Sequence, residues 1–291
     1  MGRHPEWIRV RAPSPAEAEG IRAMRDLLER HRLTTVCQGA ICPNAVECWG
    51  VRTATFMLLG DVCTRACGFC GVPTGDPGGA VDLDEPDRLA AAVAELGLRY
   101  VVLTSVDRDD LPDGGSALFA AAIDRLKATI PGIRVEVLVP DFRGDRRALG
   151  RLLATDADVF GHNVETVRRL TERLRDRRAG YEQSLGVLAD LSERAAGRPV
   201  KSGLMVGLGE TRAEIREALD DLRGAGVDVV TVGQYLRPSR RAVPVERYAP
   251  PSEFAEIEKE AEAVGFAAVV SGPLVRSSYH ALQVYEASCA S

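Results

Sequence analysis

From Thr53 onward the chain alternates short apolar or β-branched runs with longer amphipathic ones, and that alternation narrows the choice of fold more than any other feature. The candidate strands are Thr55–Leu59, Tyr100–Ser105, Arg134–Val139, Asp158–His162, Lys201–Val206 and Val227–Gln234. Helical spacing of apolar residues runs through Asp87–Leu96, Ser116–Ala128, Tyr181–Arg194 and Thr211–Arg223. Asp84 or Glu85 ahead of Pro86, and Thr211 with Glu214 as a capping box, mark helix starts. Strands alternating with helices call for right-handed crossovers and a parallel sheet. Six such units fall short of a closed eight-unit barrel, so the pattern predicts an α/β fold, a partial (β/α)6 TIM-type barrel with room for a large substrate.

Around this core the chain divides into an N-terminal extension, 1–50, the barrel, 51–265, and a C-terminal extension, 266–291. The first holds a helix over Pro15–Arg32. In the last, Phe266–Ser271 follows the helical stretch Ser252–Val264 and reads as a late strand or a crossover. No run of about 18 apolar residues is present, and the first residues lack the apolar centre of a secretory signal. The expectation is a soluble, cytoplasmic protein with no membrane contact. A formal net charge of -5 argues against a broad nucleic-acid surface. Lysine occurs only at Lys127, Lys201 and Lys259, which reads mainly as base-composition bias, although arginine's planar fork suits carboxylates.

Six of the seven cysteines form two triplets, Cys37, Cys42, Cys48 and Cys63, Cys67, Cys70. Close spacing without an export signal favours metal ligation over disulfides. Tetrahedral zinc and a fully ligated cubic iron–sulfur cluster each need four ligands, so a triplet implies a partner elsewhere or an open metal position. In Cys63-Thr-Arg-Ala-Cys67-Gly-Phe-Cys70 the gaps of three and two residues let one short loop offer three thiolates to three irons, leaving the fourth iron free. The loop follows the first barrel strand at its C-terminal end, the active-site face of such barrels, and Phe69 is placed to shield it from water. The gaps in Cys37-x4-Cys42-x5-Cys48 are wider, with Pro43 and Trp49 beside the ligands; three buried structural cysteines are the alternative there. For the second triplet the alternative is a zinc site borrowing a distant ligand, but His4, His31, His162 and His280 all lie away from the cysteines.

The second triplet resembles the signature of the radical S-adenosylmethionine superfamily. More specifically, Cys-x4-Cys-Pro-Asn-x3-Glu-Cys-Trp, then Ala54-Thr55-Phe56-Met57 and Gly60-Asp61-x-Cys-Thr-Arg-x-Cys-x-Phe-Cys, resemble the lipoyl synthase family. The likeness continues through Thr104–Leu111, Asp113-Gly114-Gly115, His162-Asn163-x-Glu165-Thr166, Lys201–Thr211, Gly233–Pro238 and Ser271–His280. It covers the chain from about Glu6 to the C-terminus.

The resemblance implies a sulfurtransferase that inserts two sulfur atoms at C6 and C8 of a protein-bound octanoyl-lysine to form the lipoyl cofactor. It implies S-adenosylmethionine and two [4Fe–4S] clusters. One, on Cys63, Cys67 and Cys70, generates the radical; the auxiliary one, on Cys37, Cys42, Cys48 and Ser278, with Ser277 as the alternative, donates the sulfur. A serine oxygen should be easier to displace than a thiolate, which suits a cluster that is dismantled. Gly114 and Gly115 are implied near the methionyl amine, Asn163 and Glu165 as ribose or methionine contacts, and Arg175 at the carboxylate, with a turn and a solvated helix face as the plainer readings of Asp113–Gly115 and Arg175. His162 is expected to orient its neighbours. No side chain is implied as acid, base or nucleophile, because unactivated C–H bonds are neither acidic nor electrophilic. The implied partners are an octanoylated lipoyl carrier domain, of a dehydrogenase E2 subunit or a glycine-cleavage H protein, a ferredoxin- or flavodoxin-type electron donor, and a cluster-repair protein. Ala242 stands where family members carry histidine, and Gly39 where glutamate is common, changes that bear on docking and cluster surroundings. Cys289 lies outside both motifs. A methylthiotransferase, a biotin-synthase-like sulfur inserter and a non-catalytic metal scaffold are the rival readings, and the Arg-Ser-Ser-Tyr run speaks against the first two.

Overall fold

The computed structural model describes residues 4–9, 12–39, 42, 44, 48 and 54–290. The strands are β1 (Thr34–Thr35), β2 (Thr55–Leu58), β3 (Tyr100–Ser105), β4 (Arg134–Leu138), β5 (Val159–Gly161), β6 (Val200–Val206), β7 (Val229–Gln234) and β8 (Ala268–Gly272), and they follow chain order in the sheet. The helices are α1 (Pro15–Arg30), α2 (Val36–Gly39), α3 (Glu85–Leu96), α4 (Ser116–Thr129), α5 (Arg146–Leu153), α6 (Arg168–Leu174), α7 (Tyr181–Arg194), α8 (Arg212–Gly224), α9 (Pro251–Val264) and α10 (Ala281–Ala290). The α/β class and the partial-barrel architecture expected from the alternation are both present.

The chain divides into two compact units, one made of Ala12–Ala66 and Gly71–Phe160, the other of Met1–Arg11, Cys67–Cys70 and Gly161–Ser291. In the first, β2, β3 and β4 pair in parallel, and the two-residue β1 is antiparallel to β2, with Thr35 opposite Phe56. These strands are buried almost throughout, as expected where helices cover a parallel sheet. Helix α3 buries Leu89, Ala90 and Val93, and α4 buries Leu118, Phe119, Ala122, Ile123 and Leu126, the spacing of a single helix face. Gly97, at φ 64°, ends α3 in the left-handed cap that glycine adopts most readily. Asp84 precedes α3 but makes no side-chain capping bond, so Pro86 carries that helix start alone.

In the second unit β6, β7 and β8 pair in parallel. The Phe266–Ser271 run is thereby a strand, not a crossover. Helix α8 buries Ile215, Ala218, Leu219 and Leu222, and both halves of its capping box form: Thr211 N–H donates to Glu214 Oε2 at 2.8 Å and Glu214 N–H to Thr211 Oγ1 at 3.3 Å. Two short helices, α5 and α6, go beyond the sequence reading. Eight and seven residues are too few to display a period, and both are rich in arginine; α5 is seated by Ala148, Leu149 and Leu152. Among the described residues no helix is long and apolar enough to cross a membrane.

Candidate functional site

Cys63 belongs to the first unit, in the loop after β2. There the chain leaves the strand through positive φ at Leu59 and Gly60. Cys63 N–H donates to Pro73 O at 2.9 Å, and Cys63 O accepts from Gly75 N–H at 2.9 Å, a one-residue parallel bridge. Thr64 is tied to the segment after β3: its N–H and Oγ1 both reach Asp107 O, at 3.0 and 2.9 Å, while Asp109 N–H returns a bond to Thr64 Oγ1 at 3.0 Å. Arg65, buried, forks onto both Asp109 and Asp141. Burial opposes its charge, but those hydrogen bonds and Asp107 more than reverse this, so its pKa lies above even the usual arginine value.

Cys67, Gly68, Phe69 and Cys70 belong to the second unit. Gly68 N–H donates to Leu174 O at 2.7 Å, and Gly68 O accepts from Val243 N–H at 2.9 Å. A Cβ at Gly68 would meet Val243 Cγ1 at 3.1 Å. Val243 O in turn accepts from the Tyr235 hydroxyl at 2.8 Å. Asp176 N–H donates to Cys67 Sγ at 3.3 Å. Burial pushes the Cys67 thiol up to about 12, against the pull of that N–H and of Arg175. None of Cys63, Cys67 and Cys70 is in a disulfide. Ala242 is buried, and its carbonyl accepts from Arg237 Nε at 2.7 Å.

Beside Cys67 the same unit gathers Asn163, Glu165 and Arg175. Asn163 Nδ2 donates to Glu165 Oε1 at 3.2 Å, leaving Asn163 Oδ1 buried with no partner. Glu165 adopts φ 69°, and its carboxyl is raised by burial, opposed by Arg175 and Asn163. Arg175 is not on a solvated helix face: it closes α6, donates through Nη1 to Ser184 Oγ at 2.7 Å, and leaves Nε buried without a partner. His162 Nε2 lies 2.9 Å from the same Ser184 Oγ. On the neighbouring strands a Cβ at Gly203 would come 2.8 Å from Asn163 Oδ1, and one at Gly233 would come 2.1 Å from Val275 O. An unpartnered acceptor, a desolvated carboxylate, a guanidinium and strands that exclude side chains suit a zwitterionic cofactor with hydroxyls.

Gly114 and Gly115, in the first unit, take φ 62° and 88° where the chain turns into α4. A Cβ on Gly115 would meet Leu59 Cδ1 at 2.2 Å. Asp113 ties the turn, accepting from Gly115 N–H at 3.0 Å and Ala117 N–H at 2.9 Å. Burial raises its carboxyl, but these bonds together with Arg151 bring it below the usual range. The turn's conformation alone therefore accounts for both glycines, beside any contact to a cofactor.

In the first triplet, Cys37 lies in α2, Cys42 N–H donates to Cys37 O at 3.2 Å, and Cys48 N–H to Asn44 O at 2.9 Å. Pro43 and Trp49 lie outside the described residues. Ser277 and Ser278 stand in the turn after β8, both partly exposed. Among the described residues no three His, Cys, Asp or Glu side chains converge as a mononuclear metal site. Side chains that the sequence reading passed over are Arg65, Asp109 and Asp141 around Cys63, and Gly68, Asp176 and Ser184 around Cys67. Arg65 and Asp109 sit inside quoted motifs; nothing in the sequence pairs them.

The radical SAM superfamily model matches residues 57–233, which include Cys63, Cys67, Cys70, Asn163, Glu165 and Arg175. Solved structures bear the same fold: methylornithine synthase aligns at TM-score 0.53 over 91% of this chain and 80% of its own, at 13% identity. The FeFe-hydrogenase maturase HydG from Carboxydothermus hydrogenoformans aligns at 0.51 over 93% and 78%, also at 13% identity. The chain belongs to the radical SAM superfamily. It is 56% identical to the lipoyl synthase of Pyrobaculum arsenaticum, over 98% of this chain and 96% of that one, and 54% identical to that of Thermus thermophilus, over 97% and 86%. Within the superfamily, the chain belongs to the lipoyl synthases.

Proposed function

We infer that this chain inserts two sulfur atoms, at C6 and C8, into an octanoyl-lysine carried on a lipoyl carrier protein. Cys63, Cys67 and Cys70 hold the radical-generating [4Fe–4S] cluster, and Cys37, Cys42, Cys48 and Ser278 hold the auxiliary one, the extensions 1–50 and 266–291 supplying the latter's ligands. When bound, S-adenosylmethionine and the two clusters supply the hydrogen-abstracting radical and the sulfur. The protein's part is binding, orientation and exclusion of water. Asn163 offers its free Oδ1 to a hydroxyl or ammonium, Glu165 supplies a desolvated negative charge for a cationic group, and Arg175 faces the carboxylate end. Gly203 leaves the space that Asn163 Oδ1 occupies, 2.8 Å from where a Cβ would stand. His162 and Arg175 share Ser184, so each fixes the other's orientation.

The single observation that carries this reading is the gathering of Asn163, Glu165 and Arg175 beside Cys67, with Asn163 Oδ1 buried and unpartnered. The electron donor is a ferredoxin- or flavodoxin-type protein, a repair protein rebuilds the spent auxiliary cluster, and the setting is cytoplasmic. The test is incubation of anaerobically reconstituted protein with an octanoyl-lysine peptide, S-adenosylmethionine and reductant. Two sulfurs added per peptide by mass, from protein with about eight irons and eight sulfides per chain, is the expected result. One or two zincs per chain and no added mass would sink the reading.

A further inference from the structure

The Asp107-Arg108-Asp109-Asp110 run has no part in the reaction as described so far, yet it closes on the cysteine loop through one side chain. Arg65, two residues after Cys63, is 3% exposed, and Asp141 is 1% exposed. Arg65 Nε and Nη2 donate to Asp109 at 2.8 and 2.9 Å, and Nη1 and Nη2 to Asp141 at 2.7 and 2.8 Å. Asp107 stands 3.3 Å from Nη1. One planar guanidinium thus serves two carboxylate forks, which an ammonium cannot copy. The main chain of the same residue is held as well: Arg65 O accepts from Thr74 Oγ1 at 3.0 Å, and Arg65 N–H donates to Cys63 Sγ at 3.4 Å. Clamped at its carbonyl and its side chain, the residue has little freedom to turn its N–H away from that sulfur. Hydrogen bonds to ligand sulfurs are among the levers that set the potential of an iron–sulfur cluster.

We propose that Arg65 is a positioning residue: forked by Asp109 and Asp141, it aims its own N–H at Cys63 Sγ and so makes the cluster held there easier to reduce. This rests on the reading of Cys63 as a ligand of the radical-generating cluster. It gives the acidic run after β3 a task, to supply half of the fork. The carboxylates act through Arg65.

The experiment is a potentiometric titration of reconstituted holoenzyme, followed by electron paramagnetic resonance, with iron and sulfide counted in the same samples. Arg65→Lys and Asp109→Asn should keep about eight irons yet need a more negative potential to give the reduced-cluster signal. Their rate of 5′-deoxyadenosine formation should fall by up to about 10²-fold, the size of effect a slightly misplaced group produces, with kcat moving more than KM for S-adenosylmethionine. Arg125→Gln, which breaks only the surface pair with Asp87, should match the parent. A parental potential in Arg65→Lys and Asp109→Asn overturns the proposal. Loss of iron from both also overturns it, since that reduces Arg65 to a requirement for folding. Retention of about eight irons in Cys63→Ala overturns instead the ligand assignment beneath it.

Discussion

The loop at Cys63 adds a charged fork, on Arg65, to its backbone bonds with Pro73 and Gly75, whereas the bonds described at Cys67 and Gly68, a few residues on, come from backbone. In the first unit the loop is secured by Arg65 between carboxylates and by the Thr64 hydroxyl. In the second, Leu174 O and Val243 N–H clasp Gly68, and Asp176 N–H meets Cys67 Sγ. A charged fork is demanding about chemical identity, since neither lysine nor glutamine reproduces it. A backbone clasp is indifferent to identity and demanding about volume, because Val243 Cγ1 already stands 3.1 Å from where a Cβ would go. Neighbouring cysteines of one motif should therefore fail in different ways.

The bluntest way to break the comparison is to remove the cysteines themselves. Cys63→Ala and Cys67→Ala should each abolish 5′-deoxyadenosine formation and leave about four irons per chain, measured by chromatography and metal analysis. If only one of them does so, the two loops do not serve one cluster. Cys37→Ala should also lose about four irons but still cleave S-adenosylmethionine, with no sulfur added to an octanoyl-lysine peptide by mass; sulfur insertion by this variant would remove the auxiliary cluster as donor.

A finer cut takes the backbone side alone. Gly68→Val, whose branched side chain must meet Val243, should slow 5′-deoxyadenosine formation by about 10²-fold, and adding Val243→Ala should recover part of the loss. Strict additivity of the two changes would show that the clasp is not where the damage lies.

The smallest effect belongs to the charged side. Asp113 has a folded pKa below its unfolded one, so its stabilising share is complete above about pH 4 and is lost as pH falls through the lowered folded value. Asp113→Ala should cost about 1 kcal/mol in urea unfolding at pH 7, the size of a lost side-chain acceptor at a helix N-terminus. The gap from the parent should close in acid. A gap unchanged between pH 7 and pH 3 would mean that the side chain's shape, not its charge, ties the turn.

Much of this architecture was legible beforehand, because long strands and helices write their period into the chain. β2 to β7 and the helices α3, α4, α7 and α8 fall where apolar spacing put them, within a residue or two at their ends. Helices α5 and α6 escaped because each has about two turns and an arginine-rich surface. β1 escaped because two residues carry no alternation. At the candidate site the clustered cysteines stand out by spacing, and Asn163, Glu165 and Arg175 by likeness to a family. Asp141, Ser184 and Asp176 announce nothing, since an aspartate in a loop or a serine within a helix looks like any other polar residue.

The sequence by itself determined the parallel α/β class, the grouping of six cysteines into two triplets and the family, because periodicity and ligand spacing are local properties of a chain. Only the tertiary structure decided which distant groups meet: Arg65 with Asp109 and Asp141, Gly68 with Val243, Arg175 with Ser184. Those contacts join residues from 9 to 175 positions apart, and their existence depends on where the strand ends bring separate loops. Desolvation follows from the same assembly. A carboxyl such as Glu165 acquires its raised pKa only once its neighbours have closed over it.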